Sequence, residues 1–149
     1  MKEKKNLNNT NTNNDENDIS NNEQQELYSG LNTINLSILG ILLIIYGVLI
    51  NTIYLFWQRA VILDQINDTE FTKNMQDLGE SPRKANLLYL IATTIFVAVI
   101  WKQYNETVSD RNSTNIDIEK QSKTLTAILL YLLAASINYD VLNNSRYNT

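Results

Sequence analysis

The side chains here that could do chemistry are carboxylates, hydroxyls, amides and amines, because the 149-residue chain contains neither histidine nor cysteine. Loss of histidine removes the commonest general base and zinc ligand, and it leaves every serine without the partner that would activate it. Loss of cysteine removes thiolate chemistry and any disulfide framework. Asp64, Asp68, Glu70, Asp77 and Glu80 crowd into one segment, where paired acid and base groups could be imagined. Solvated faces of a polar loop explain the same crowding more simply. The glycines Gly30, Gly40, Gly47 and Gly79 are too far apart to cradle a phosphate. The acidic residues do not take up the spacing of a calcium loop. No catalytic, cofactor-binding or metal-ligating set is predicted, and the chain is expected to be non-enzymatic. A net charge of −4 and a pI near 4.8 argue against nucleic acid as a partner, which would require a basic stripe.

A second kind of polar residue stands out by its surroundings. Ser37, Gly40, Gly47 and Asn51 fall in one narrow sector of a helix turning about 100° per residue, within an otherwise Leu- and Ile-rich stretch. Ala85, Tyr89, Ala92 and Thr93 do so in a later apolar stretch, and Ala127, Tyr131, Ala134, Ala135 and Asn138 in a third. Small residues let helix backbones approach, and amides or hydroxyls hydrogen-bond across helices where no water competes. The expected helix-packing seam is therefore Ser37, Gly40, Gly47, Asn51, Ala92, Thr93, Ala127, Ala134 and Asn138. The interval from Gly40 to Gly47 fits left-handed packing rather than a GxxxG crossing. The competing reading makes the same face the lining of an oligomeric pore.

The elements carrying these residues are membrane-spanning by composition. No charge occurs between Glu26 and Arg59, and Leu36 to Trp57 rises ~33 Å as a helix, enough for a hydrocarbon layer of about 30 Å. Tyr54, Trp57 and then Arg59 follow the aromatic-then-cationic order of an interface. A chain of this length could hardly bury a helix that is apolar all round inside a soluble core. Ala85 to Trp101 is charge-free and bracketed by Arg83, Lys84 and Lys102. The third stretch, Leu125 to Ile137, crosses only if Asp140 reaches the headgroups or a neighbouring helix shelters it. The predicted fold is an all-α membrane protein, with three transmembrane helices in a small bundle over about 34–57, 85–101 and 124–139. Residues 1–30, Asn-rich and without apolar periodicity, are expected to be a disordered tail, leaving 31–149 as the membrane domain.

The connections carry their own signals. Asn67 as N-cap, Glu70 reaching back and Ile66 stapled to Phe71 predict a short amphipathic helix through Leu78, stopped by Gly79. Ser81-Pro82 reads as N-cap and first residue of the second span. The second and third helices are expected to form a hairpin turning near Asp110 to Ser113, with Thr114 and Asp117 capping the third and Glu119 pairing with Lys123.

Loop cations tie, so orientation rests on Lys2, Lys4 and Lys5, which favour a cytoplasmic N-terminus in the cell membrane. The abundance of Asn, Ile and Lys reads as the mark of an AT-rich bacterial genome. The functional expectation is a non-catalytic membrane protein acting through protein–protein contacts in the bilayer, as an accessory, scaffold or immunity-type factor. Its partners would be membrane lipid and either another membrane protein or further copies of itself. The alternative is a holin-like or channel-like protein that assembles into a pore.

Overall fold

The computed structural model describes the backbone of residues 12–144 and the side chains of residues 23–144. Among the described residues there is no strand, and the order is α1 (Thr12–Asn67), a 3₁₀ turn (Phe71–Asn74), α2 (Ser81–Ser109) and α3 (Asn115–Asn144). Three helices are long and apolar enough to cross a membrane: Glu23–Asn67, Ser81–Ser109 and Asn115–Asn144. The chain divides into two units, Met1–Asn35 and Leu36–Thr149.

In the first unit, the described backbone, from residue 12, lies in α1. A helix that already has its nucleus grows at the cost of propagation alone, and Glu23, Gln24, Gln25 and Glu26 are good helix formers. Leu27 and Tyr28 remain more than two-thirds exposed there, so burial of apolar surface does not order this turn. The expected disordered tail, residues 1–30, begins in residues 1–11, which lie outside the described residues.

In the second unit, seams at heptad spacing organise the helices. On α1 the less exposed positions Gly40, Leu43, Gly47, Ile50, Tyr54 and Trp57 recur at intervals of three and four. On α3 the series is Gln121, Leu125, Ile128, Leu132, Ala135 and Tyr139. Both α1 and α3 pack against α2, which is buried along Ala85, Ala92 and Val99. The Phe96 ring covers Gly40 and the Tyr89 ring covers Gly47, so α1 and α2 run antiparallel in a fixed register. One heptad further along, Tyr54 is level with Pro82.

The α2–α3 hairpin turns through residues 110–114, as its sequence predicts. Thr114 Oγ1 donates to Asp117 Oδ2 at 2.6 Å, and the Asp117 amide donates back to Thr114 Oγ1 at 3.3 Å, a reciprocal cap. Lys123 Nζ meets Glu119 Oε1 at 2.6 Å one turn on. Val99 and Leu125, both buried, are equidistant from Asn112 at the centre of the turn. The same count sets Asp140 level with Lys84, at the end of the apolar run rather than within it.

The first connection departs from its predicted form. Asn67 ends α1 instead of starting a new helix, and Asp68 takes a left-handed φ of 52°. The Thr69 amide then donates to the Asp64 carbonyl at 2.9 Å, the wrap-around bond of a helix C-terminus. Phe71–Asn74 turn again as 3₁₀, and Met75 is extended at ψ 153°. Ile66 and Phe71 are both more than 70% exposed, so no apolar staple forms. Ser81 is the first residue inside α2, one place beyond its predicted capping role, and Pro82 follows it in the first turn.

Candidate functional site

The polar seam is the first candidate. Ser37, Gly40, Gly47 and Asn51 all lie on the packed side of α1, with both glycines buried. A Cβ on Gly40 would stand 2.8 Å from Phe96 Cζ, and one on Gly47 would stand 2.5 Å from Tyr89 Cε1. The glycines are therefore sockets for two aromatic rings. Asn51 Nδ2 donates to the Tyr89 hydroxyl at 3.3 Å, tying α1 to α2 one turn beyond the Gly47 socket. Thr93 turns its hydroxyl back to the Tyr89 carbonyl at 2.7 Å, a bond within its own helix. Ala92 is fully buried.

The third helix differs. Ala127, Ala134 and Asn138 lie on the exposed side of α3, so the intrachain seam does not include them. The physical reason is a division of sizes. Small residues on α2, Ala85 and Ala92, make the room, and α3 meets α2 with Leu125, Ile128 and Leu132. With the small side already supplied, the alanines of α3 are free to face outward. The expected face rests on small and polar residue types. The heptad run Leu125, Ile128, Leu132 and Ala135 was the signal that could have found it.

The loop carboxylates are the second candidate. Asp64 is buried, and its oxygens are taken up by the loop: Oδ1 accepts from Thr69 Oγ1 at 2.5 Å, and Oδ2 accepts from the Thr72 amide and hydroxyl at 2.6 Å each. The Thr69 and Thr72 bonds favour the charged form and pull its pKa down to about 2. Asp64 is thus ionised throughout the neutral range and fully engaged as a clasp. Asp68 and Glu70 line the same open cleft of about 420 Å³, whereas Asp77 and Glu80 do not. Glu70 pairs with Lys73 at 2.9 Å on the surface, and Asp77 Oδ1 accepts from the Gly79 amide at 2.8 Å. Among the described residues, no three carboxylates gather as a metal-ion site would require.

Sequence reasoning missed Asp64 as an organising residue. The spacing Asp64–Thr69–Thr72 was visible, but a contact across a chain reversal has no helical or strand period to reveal it.

Aromatic pairs mark two levels of the helices. Tyr54 and Trp57 stack at 5.9 Å near the end of the α1 apolar run, and Trp101 and Tyr104 lie 6.4 Å apart near the end of that on α2. With Tyr54 level with Pro82, the rise to Trp101 along α2 is ~28 Å.

What these features define is a class of architecture, a helical hairpin with a third long apolar helix sealed to it by aromatic-on-glycine contacts. No family model, no curated protein and no solved structure matches the chain.

Proposed function

We propose that this is a non-catalytic, multi-pass integral membrane protein that acts through protein–protein contacts within the bilayer. The observation that carries the reading is the inversion of its surface. Among the described residues the buried apolar side chains are Ala85, Ala92, Val99 and Leu125, while Leu39, Leu42, Leu49, Leu55, Phe56, Leu130 and Leu133 are 46–67% exposed. In water such a shell would be one continuous aggregation surface. Against lipid tails it is the favourable arrangement, since the tails are as apolar as leucine. The ~28 Å between the levels of Tyr54 and Trp101 supports the reading, because amphipathic rings favour the two boundaries of a hydrocarbon layer about 30 Å thick. Asp140, level with Lys84, then falls at a boundary and leaves the third span free of charge at depth.

The Asn51–Tyr89 bond favours a packing role for the seam over a pore lining. An amide group already bonded to another helix of its own chain has less to offer a water-filled channel. The experiment is extraction of the membrane fraction with high salt and then with alkali. Salt screens charge but does not touch apolar burial, so the protein should stay in the pellet. Recovery in the alkaline supernatant without detergent would overturn the reading.

A further inference from the structure

The two ends of the apolar helices hold their charges differently. At the hairpin end, Lys102 Nζ lies 3.6 Å from Glu106 Oε1, and Lys123 Nζ lies 2.6 Å from Glu119 Oε1, each pair within one helix. Lys120 stands near Asp117 and favours its charged form. Three lysines thus face three carboxylates. At the other end, the side chains of Arg59, Arg83 and Lys84 form no ion pair or hydrogen bond among the described residues. Arg59 and Lys84 are exposed, and Arg83 is partly buried. Glu80 and Asp140 are the carboxylates beside them on the helices, and Asp140 Oδ1 already accepts from Asn144 Nδ2 at 2.9 Å.

The heights of the three cations agree. With Tyr54 level with Pro82, Arg59 stands five residues, or ~7.5 Å, outside that level. Arg83 and Lys84 start one and two residues inside it, or ~1.5 and ~3 Å. A lipid headgroup layer is roughly 5–8 Å deep, and long cationic side chains stretch toward it from the apolar side. All three charges therefore reach the one layer.

We propose that the end of the protein bearing Arg59, Arg83 and Lys84 binds the phosphate groups of anionic phospholipids and gathers those lipids around it, while the hairpin end has no such preference. A lysine that holds a carboxylate on its own helix has less to offer a phosphate. A guanidinium without a partner presents a fork of N–H donors that matches phosphate oxygens two at a time. Anionic lipid is the better ligand because a zwitterionic headgroup carries its own cation beside its phosphate. This inference rests on the membrane reading above and names the lipid class that the reading implies.

The chain's two tryptophans make the test, since Trp57 is two residues from Arg59 and Trp101 adjoins Lys102. Full-length Trp101→Phe and Trp57→Phe proteins are placed in vesicles of phosphatidylcholine and phosphatidylglycerol in equal amounts, with bromine on the chains of one lipid at a time. Trp57 should be quenched more by brominated phosphatidylglycerol than by brominated phosphatidylcholine, and Trp101 equally by both. The excess at Trp57 should fade in high salt and be lost when Arg59, Arg83 and Lys84 are all changed to Gln. Equal quenching of Trp57 by the two lipids would overturn the proposal, as would an excess that survives the three substitutions. An excess of the same size at Trp101 would overturn the contrast between the ends. Neither tryptophan quenched by either lipid, with the protein recovered in the alkaline supernatant, would sink the membrane reading instead.

Discussion

The ring of Tyr89 lies over Gly47 so closely that a Cβ there would stand 2.5 Å from Cε1, a distance real side chains do not tolerate. Glycine at 47 is thus a condition of the α1–α2 contact. Gly47→Leu should destabilise the bundle by about 1–3 kcal/mol, the usual cost of overpacking a filled contact. Ile45→Leu, at a position 49% exposed, should be nearly silent, because added bulk matters only where helices meet. Thermal unfolding of both variants in detergent decides it, and equal effects would show the face to be wrongly assigned.

Asn51 and Tyr89 form a pair across the same contact at 3.3 Å. Asn51→Leu should cost about 0.6–2 kcal/mol, and Tyr89→Phe a similar amount. The double variant should lose little more than either single, since each removes the same bond. Additive losses would mean that the two side chains act through different partners. If Asn51 lined a pore instead, its loss would leave unfolding unchanged and abolish dye entry into expressing cells, because an apolar constriction dewets.

Much of this architecture was legible because lipid-length apolar runs are a composition signal that survives without tertiary information. The three helices, the α2–α3 turn, the Thr114–Asp117 cap and the Gly40–Gly47 face all follow from periodicity or from contacts a few residues apart. What was not legible required knowing the neighbour. Ala127 and Ala134 are as small as Ala92, yet they face outward because α2 already provides the room for Leu125 and Leu132. Likewise Asn67 and Glu70 spell a helix start in isolation, but Asp64 takes Thr69 and Thr72 and spends that stretch on a clasp.

That clasp has a pH dependence of defined sign. The Asp64 pKa is lowered from 3.8 to about 2 by its threonine bonds, so the folded state favours the ionised form. Its contribution is complete above the unfolded value near 3.8 and is lost as pH falls through the folded value near 2. Protection of the 69–74 turn from a protease active in acid should therefore fall across that window. Asp64→Asn should show weaker protection at neutral pH and little change across the same window. An unchanged pH response in Asp64→Asn would assign the effect to other carboxylates.

At the other connection, Thr114 caps α3 through a hydroxyl that both donates to and accepts from Asp117. Thr114→Ala should cost about 1 kcal/mol in detergent unfolding, and Thr114→Ser, which keeps the oxygen, close to nothing. Identical losses in the two variants would place the effect in the methyl group instead of the cap.

The final prediction concerns the two tryptophans, which are the chain's only ones and stand in different aromatic pairs. Because α1 and α2 are antiparallel, the proposed membrane arrangement puts Trp57, near the end of one apolar run, and Trp101, near the end of the other, at opposite boundaries of the bilayer. Trp57→Phe and Trp101→Phe give single-tryptophan proteins in which an aromatic ring is kept at each site. In reconstituted vesicles, lipids brominated near the headgroup should quench both proteins more strongly than lipids brominated near the chain end, since an indole ring settles at the headgroup level. In vesicles enriched in one orientation, an aqueous quencher added outside should reach one tryptophan readily and the other poorly. Strong quenching of either residue from the bilayer centre would move the boundary planes and shorten the span between them. Equal access from outside would place both rings on one face, which an antiparallel pair of crossing helices does not allow.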